Sequence, residues 1–382
     1  MTGTPVPQLP RSKQPKDRAH NVVGPQMKGS HMNLHKRQTT TASMVALVLA
    51  LAACSGAGPS TTSSGATKGL TPFGFQLNNP SNGSNAAFAS AIEQGYYKSL
   101  GLDVKIDVGT GSSVTAQMVA AGRGNVGYAD SAATTQLISQ GAPLVVLATI
   151  LQSNPNEVIA LKESGITSIA DLKGKTVGTP VPSSQATMLP LFLSANGLSK
   201  NDVKLVNLAP TSLVQSLLQH KVDAILGSVD TYQVQLQQQY KGEIFTAMFA
   251  DHGVATVSTS IFANKDWAAK NANAVKAFVA GSLKGWQFAS TNPTASAEDL
   301  KKHWGAANID KASLQELQAT LDANLLCAGG AKFVGRAEPA QWTKTQDLLS
   351  SVGLLPKGVS PTTYYTYDYL PPQSALQACP IK

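Results

Sequence analysis

From Leu70 to Phe249 short apolar runs alternate with segments whose apolar residues recur every three to four positions. Leu70–Leu77 places Phe73, Phe75 and Leu77 on one side, as in a half-buried strand. Asn85–Gln94 then carries Phe88, Ala91 and Ile92 on one helical face, and Gly95 can end that helix. Val104–Val108 reads as a strand. Ser112 or Ser113 can cap a helix bearing Val114, Met118 and Val119 that closes at Gly122. Val126–Ala129 is a predicted strand, followed by a helix to Ser139, and Leu144–Leu151 and Val158–Leu161 read as buried strands. Strands that alternate with helices imply an α/β fold with a parallel sheet covered on both faces.

A similar series starts at Ser168, which stands at capping-box spacing from Asp171. Strands are predicted at Thr176–Thr179, Val203–Leu208, Ala224–Gly227 and Ile244–Phe249, with helices from about Ser184 and over Thr211–Gln219. Pro190 lies inside the first of these helices and predicts a kink or a late start. After a strand over Thr256–Ala263 the pattern becomes helical. Ala272–Ala289 aligns Val275, Phe278, Val279, Leu283 and Trp286 on one stripe, the spacing of a core face. The chain thus reads as two α/β lobes, residues 70–167 plus 254–382 and residues 168–253. A double crossing between them makes a cleft that can close on a ligand.

The composition first suggests another picture. Thirty Lys and Arg against 22 Asp and Glu give a net charge of +8, which invites nucleic acid or an anionic membrane. Seven of the basic residues and one acidic residue precede Cys54, however, and the rest of the chain carries only +2. Lys36 and Arg37 stand before the apolar run Met44–Leu51, which is too short to span a bilayer. Small residues follow, as in a secretory signal. Leu51-Ala52-Ala53-Cys54 resembles the bacterial lipoprotein box, which implies lipidation at Cys54. Residues 1–53 are therefore expected to be an upstream extension and signal peptide, and 54–69, rich in Ser, Gly and Thr, a flexible tether. Cys327 and Cys379 could pair in an exported chain or remain buried thiols.

Three segments carry a wider resemblance. They are Gly95-Tyr96-Tyr97-Lys98-Ser99-Leu100-Gly101-Leu102-Asp103-Val104, Met118-Val119-Ala120-Ala121-Gly122-Arg123-Gly124-Asn125-Val126-Gly127, and Asp171-Leu172-Lys173-Gly174-Lys175-Thr176-Val177-Gly178. Their order and spacing resemble the solute-binding proteins of ABC importers, in the nitrate, sulfonate, taurine and thiamine-pyrimidine group. Asn125 stands where Asp is commoner in that group. The resemblance covers about 70–300 and implies a type II periplasmic-binding-protein fold. A homologous branch makes thiamine pyrimidine with a Cys-rich motif, which this chain lacks. The resemblance implies a membrane-anchored monomer that hands a small solute to an ABC permease and its ATPase, with no nucleic acid, cofactor or metal.

In an open α/β sheet, ligands bind beyond the carboxyl ends of the strands. The candidate residues are accordingly Asn79, Ser81, Gly83, Ser84 and Asn85, then Gly111, Ser112 and Ser113, then Asp130, Ser131 and Gln152. From the second lobe come Ser183, Ser184, Gln185, Ser228, Asp230 and Tyr232. Any one of these also fits ordinary capping and turn chemistry. The loops contain no Lys, Arg or His but do contain Asp130 and Asp230, so the balance favours a neutral or amine-bearing solute. Among the solutes the resemblance implies, thiamine-precursor pyrimidines, similar aromatic heterocycles and taurine-like zwitterions are the candidates. A sulfonate, taurine or nitrate held by helix N-termini is the alternative. Aromatic stacking would fall to Tyr232, Phe75 or Tyr128. Gly109-Thr110-Gly111-Ser112-Ser113-Val114 mimics a dinucleotide fingerprint, with Asp130 downstream, but Val114 replaces the third Gly. An exported dinucleotide enzyme is thus the remote reading, and the expectation is no enzyme.

Overall fold

A computed structural model describes residues 69–305 and 312–381. Cys54, the export signal and most of the tether lie outside them. In chain order the first lobe contains β1 (Thr71–Gln76), α1 (Ala86–Glu93), α2 (Tyr96–Ser99), β2 (Leu102–Asp107) and α3 (Ser112–Ala120). It continues with β3 (Val126–Asp130), α4 (Ser131–Ser139) and β4 (Leu144–Thr149). The chain then crosses to β5 (Asn156–Leu161), β6 (Thr176–Thr179), α5 (Ser184–Ala195), β7 (Lys204–Asn207), α6 (Leu213–Leu218), β8 (Ala224–Ser228), α7 (Tyr232–Gln239) and β9 (Ile244–Met248). It returns through β10 (Thr259–Asn264) and ends in α8 (Lys265–Lys270), α9 (Ala272–Thr291), α10 (Pro293–Trp304), α11 (Ser313–Asp322) and α12 (Pro339–Ser351).

Two five-stranded sheets result, ordered β2-β1-β3-β10-β4 and β7-β6-β8-β5-β9. This is the two-lobed α/β architecture expected, with two corrections. The sheets are mixed: β10 runs antiparallel between β3 and β4, and β5 antiparallel between β8 and β9. The strand at Val158–Leu161, assigned above to the first lobe, is β5 and belongs to the second sheet. All six of its residues are buried, and an apolar run of that kind reads the same in either sheet. The crossings are therefore residues 150–155 and 249–258.

The helices follow the pattern closely. Ser168 and Asp171 form both bonds of their capping box. Pro190 sits inside α5, which nevertheless starts at Ser184 and runs to Ala195. α3 is not capped by a serine side chain; its N-cap is Gly111 at φ 143°, a backbone conformation that favours glycine. The whole α9 stripe is buried. Phe278 is its centre, stacked on Phe73 at 4.7 Å and on Tyr97 at 5.3 Å, and tilted against Phe75 at 4.8 Å. A second cluster joins Val146, Ala132 and Phe262 of the first lobe to Val158, Phe192 and Leu226 of the second. The Tyr-rich tail adds to β4, where Thr366 N donates to Val146 O at 2.9 Å. Cys327 and Cys379 are joined by a disulfide, with Cα atoms 5.6 Å apart.

Candidate ligand-binding cleft

The carboxyl ends of the parallel strands of both sheets face a single cavity of about 430 Å³. The structure brings to its wall Asn79, Ser81, Ser84, Asn85, Gly111, Ser112 and Asp130 from the first lobe. Ser183, Ser184, Gln185, Ser228, Asp230 and Tyr232 come from the second. Four other expected residues lie outside this wall. Gly83 packs on α11, where a Cβ would stand 1.8 Å from the Ser313 carbonyl oxygen. Ser113 follows Ser112 into α3. Ser131 turns its hydroxyl to Ser258 O at 2.5 Å, and Gln152 donates through Nε2 to Thr149 O at 2.8 Å. Phe75, weighed for stacking, is buried in the core against Phe88 and Phe278.

Sequence reasoning missed Asn156, Ser258, Thr259, Thr211 and Gln235. Asn156 and Thr259 open β5 and β10, and Ser258 precedes Thr259. An antiparallel strand presents its amino end where its parallel neighbours present their carboxyl ends. Register puts Thr259 opposite Asp130 and Asn156 opposite Ser228. No local signal marks these positions.

The polar groups are held in place by the fold. Asp130 is the N-cap of α4: Oδ1 accepts from Ala132 N at 2.9 Å, and Oδ2 accepts from Ser258 Oγ at 2.9 Å. Its own N–H donates to Ser112 Oγ at 3.1 Å. Burial pushes its carboxyl above the ordinary value, against those hydrogen bonds. Asp230 on the opposite wall is 4% exposed. Burial raises it to about 6, opposed by hydrogen bonds from Ser228, its own backbone and Thr231. Behind it Glu157 is pushed up to about 8 by burial and by the charge of Asp230. Gln233, with its amide turned to donate, reaches both Glu157 oxygens at 3.0 and 3.1 Å. Tyr128, edge-on to Phe88 at 4.8 Å, has its phenol raised by burial and by Asp230. Tyr232 is raised to about 12 by burial and by the carboxylates of Asp230 and Glu316.

Among the described residues, the cavity wall contains no Lys, Arg or His. Two buried carboxylates from opposite lobes, two phenols and a set of Asn, Ser and Thr groups therefore meet in one enclosed space. Such a surface accepts hydrogen bonds from N–H groups and opposes anions. Among the described residues no cluster of His, Cys, Asp and Glu is arranged for a metal, and no helix is long and apolar enough to cross a membrane.

Residues 82–296 match the family model described as NMT1/THI5 like. The chain belongs to the NMT1/THI5-like family. Within and around that family, the chain is 24% identical over 344 residues to a riboflavin-binding protein of Chloroflexus aurantiacus, covering 86% of this chain and 96% of that one. It is 25% identical over 266 residues to a formylaminopyrimidine-binding protein of Halalkalibacterium halodurans, covering 68% and 80%. A putative thiamine biosynthesis protein of Haemophilus influenzae is 31% identical over 186 residues, 48% of this chain and 59% of that protein, so the chain spans under two thirds of this relative. Among solved structures, the alkanesulfonate-binding protein of Xanthomonas axonopodis superposes with a TM-score of 0.60 at 16% identity, covering 78% and 99%. That likeness establishes the periplasmic-binding-protein fold of this NMT1/THI5-like chain.

Proposed function

We propose that this protein is the extracytoplasmic solute-binding component of an ABC importer, that it takes a nitrogen heterocycle of the aminopyrimidine kind, and that it catalyses no reaction. The observation that carries the ligand reading is the presence of Asp130 and Asp230 on opposite walls of a cavity that has no Lys, Arg or His among its described lining residues. An exocyclic amine or protonated ring nitrogen supplies a further, charge-assisted donor to a buried carboxylate. Formylaminopyrimidine, named for one relative, carries such an amine, and riboflavin, named for another, is a nitrogen heterocycle with a ring N–H. A sulfonate would instead place its charge against two carboxylates. The volume of about 430 Å³ suits a ligand of one to three rings.

The proposed working form is exported and acylated at Cys54, so that the tether keeps the lobes near the membrane and its permease. Release of the signal removes most of the positive charge, which leaves no electrostatic case for nucleic acid. Incorporation of an alkyne fatty acid, lost in Cys54→Ser, tests the anchor.

Native mass spectrometry of the purified protein tests the ligand. A co-purified mass matching an aminopyrimidine or flavin supports the reading. Isothermal titration should then show binding of that compound and none of taurine or an alkanesulfonate. Tight sulfonate binding with no heterocycle bound overturns it.

A further inference from the structure

Glu316 carries no signal in the sequence that links it to the cleft. It lies on α11, fully buried, far along the chain from every cleft loop. Its Oε2 accepts from the backbone N–H of Gly83 at 2.7 Å, and its Oε1 accepts from Gln235 Nε2 at 2.9 Å. Gly83 belongs to the loop after β1, in the first lobe. Gln235 belongs to α7 of the second lobe and lines the cavity. One carboxylate thus takes a donor from each side of the cleft. The contact of Gly83 with Ser313 and Glu316 leaves no room for a side chain, so the loop and α11 are fitted to one another. Beside them Asn82 Nδ2 donates to Thr231 Oγ1 at 3.4 Å, a second bond between cavity-lining residues of opposite lobes.

The segment after α11 reaches the crossing between the lobes. Leu325 O accepts from Gln152 N at 2.6 Å, and Gln341 Nε2 reaches Gln152 O at 3.4 Å. The stretch from α11 to α12 therefore touches both the mouth of the cleft and its hinge.

We propose that Glu316 is a positioning residue for closure, holding the lobes together over the cavity by joining Gly83 to Gln235. This rests on reading the cavity as a solute site that the two lobes close. A buried carboxylate is a strong acceptor, and its bond to the second lobe exists only while the lobes are together. The bond adds to the stability of the closed form whatever the solute, so it sets how much of the closing free energy the solute must supply.

Small-angle X-ray scattering of the solute-free protein tests this, with circular dichroism as the check on folding. Gln235→Glu sets two carboxylates face to face and should open the cleft, seen as a larger radius of gyration. The exchange variant Glu316→Gln/Gln235→Glu restores one carboxylate and one amide, and should return the parental value. Gln235→Ala, at a half-exposed position that tolerates truncation, should shift the closed-to-open ratio about tenfold toward open. The proposal is overturned if both single variants scatter like the parent, or if the exchange variant stays as open as Gln235→Glu. The readout needs no solute, so the two readings fail separately. Scattering that responds as stated in a protein that ignores aminopyrimidines and flavins keeps the latch and removes the ligand reading. Tight aminopyrimidine binding with unmoved scattering does the reverse.

Discussion

At the scale of single residues, the cleft sets its carboxylates apart from one another by environment. Asp230 is raised to about 6 and faces the cavity, whereas Glu157, raised to about 8, lies behind it. An amine-bearing pyrimidine should bind more tightly as pH rises through about 6, because Asp230 must be ionised to receive a cation. Asp230→Asn should weaken that binding by about 1.5–3 kcal/mol by titration calorimetry and flatten the pH dependence. Glu157 acts on stability. Its folded value lies above its ordinary 4.5, so the folded protein holds that proton more tightly than the unfolded chain. The stabilisation is full below 4.5 and is lost as pH rises toward about 8. The melting temperature should therefore fall between about pH 5.5 and pH 8, and Glu157→Gln should raise it at the upper end. Asp130 has a further role that its position in the sequence only half suggests. Because it caps α4 and receives Ser258, Asp130→Ala should cost about 0.5–2 kcal/mol of stability in urea unfolding, whatever it does to a ligand.

At the scale of elements, the helical stripe of α9 was legible because spacing alone puts Val275, Phe278, Val279, Leu283 and Trp286 on one face. Phe278 is stacked or tilted against three rings, and Phe278→Ala should cost about 3–5 kcal/mol by urea unfolding, since a cavity that size collapses only in part. Capping was legible at Ser168 and Asp171, where donor and acceptor are three residues apart. It was not legible at α3, where Gly111 rather than a serine holds the N-cap. Gly111 N donates to Asn78 O at 2.6 Å, and a Cβ on Gly111 would come within 3.2 Å of Pro182 O in the other lobe. That close approach is a tertiary constraint, and the adjacent serines hid it.

At the scale of the whole molecule, the disulfide closes a loop of 52 residues and ties the end of the chain to the segment behind α11. Loop-closure entropy predicts about 4 kcal/mol from this link. Reduction, or Cys327→Ser with Cys379→Ser, should lower the urea midpoint accordingly. Because Cys327 lies in the stretch from α11 to α12 that reaches the hinge through Leu325 and Gln341, the same variant should weaken solute binding by more than Phe278→Ala does at equal stability, measured by calorimetry at low denaturant.

The amino-acid sequence by itself determined the alternation of strands and helices, the two lobes, the family, and most of the polar loops at the strand ends. Each of these depends on local periodicity, on turn and cap chemistry, or on short motifs, and such signals survive in one dimension. The tertiary structure alone decided the antiparallel placement of β5 and β10, because an all-buried strand has no face to show which sheet or direction it takes. That placement brought Asn156, Ser258 and Thr259 to the cavity. It also decided the meeting of Gly83, Glu316 and Gln235, which are separated by up to 233 residues and are brought together by packing, a long-range property that no spacing along the chain records.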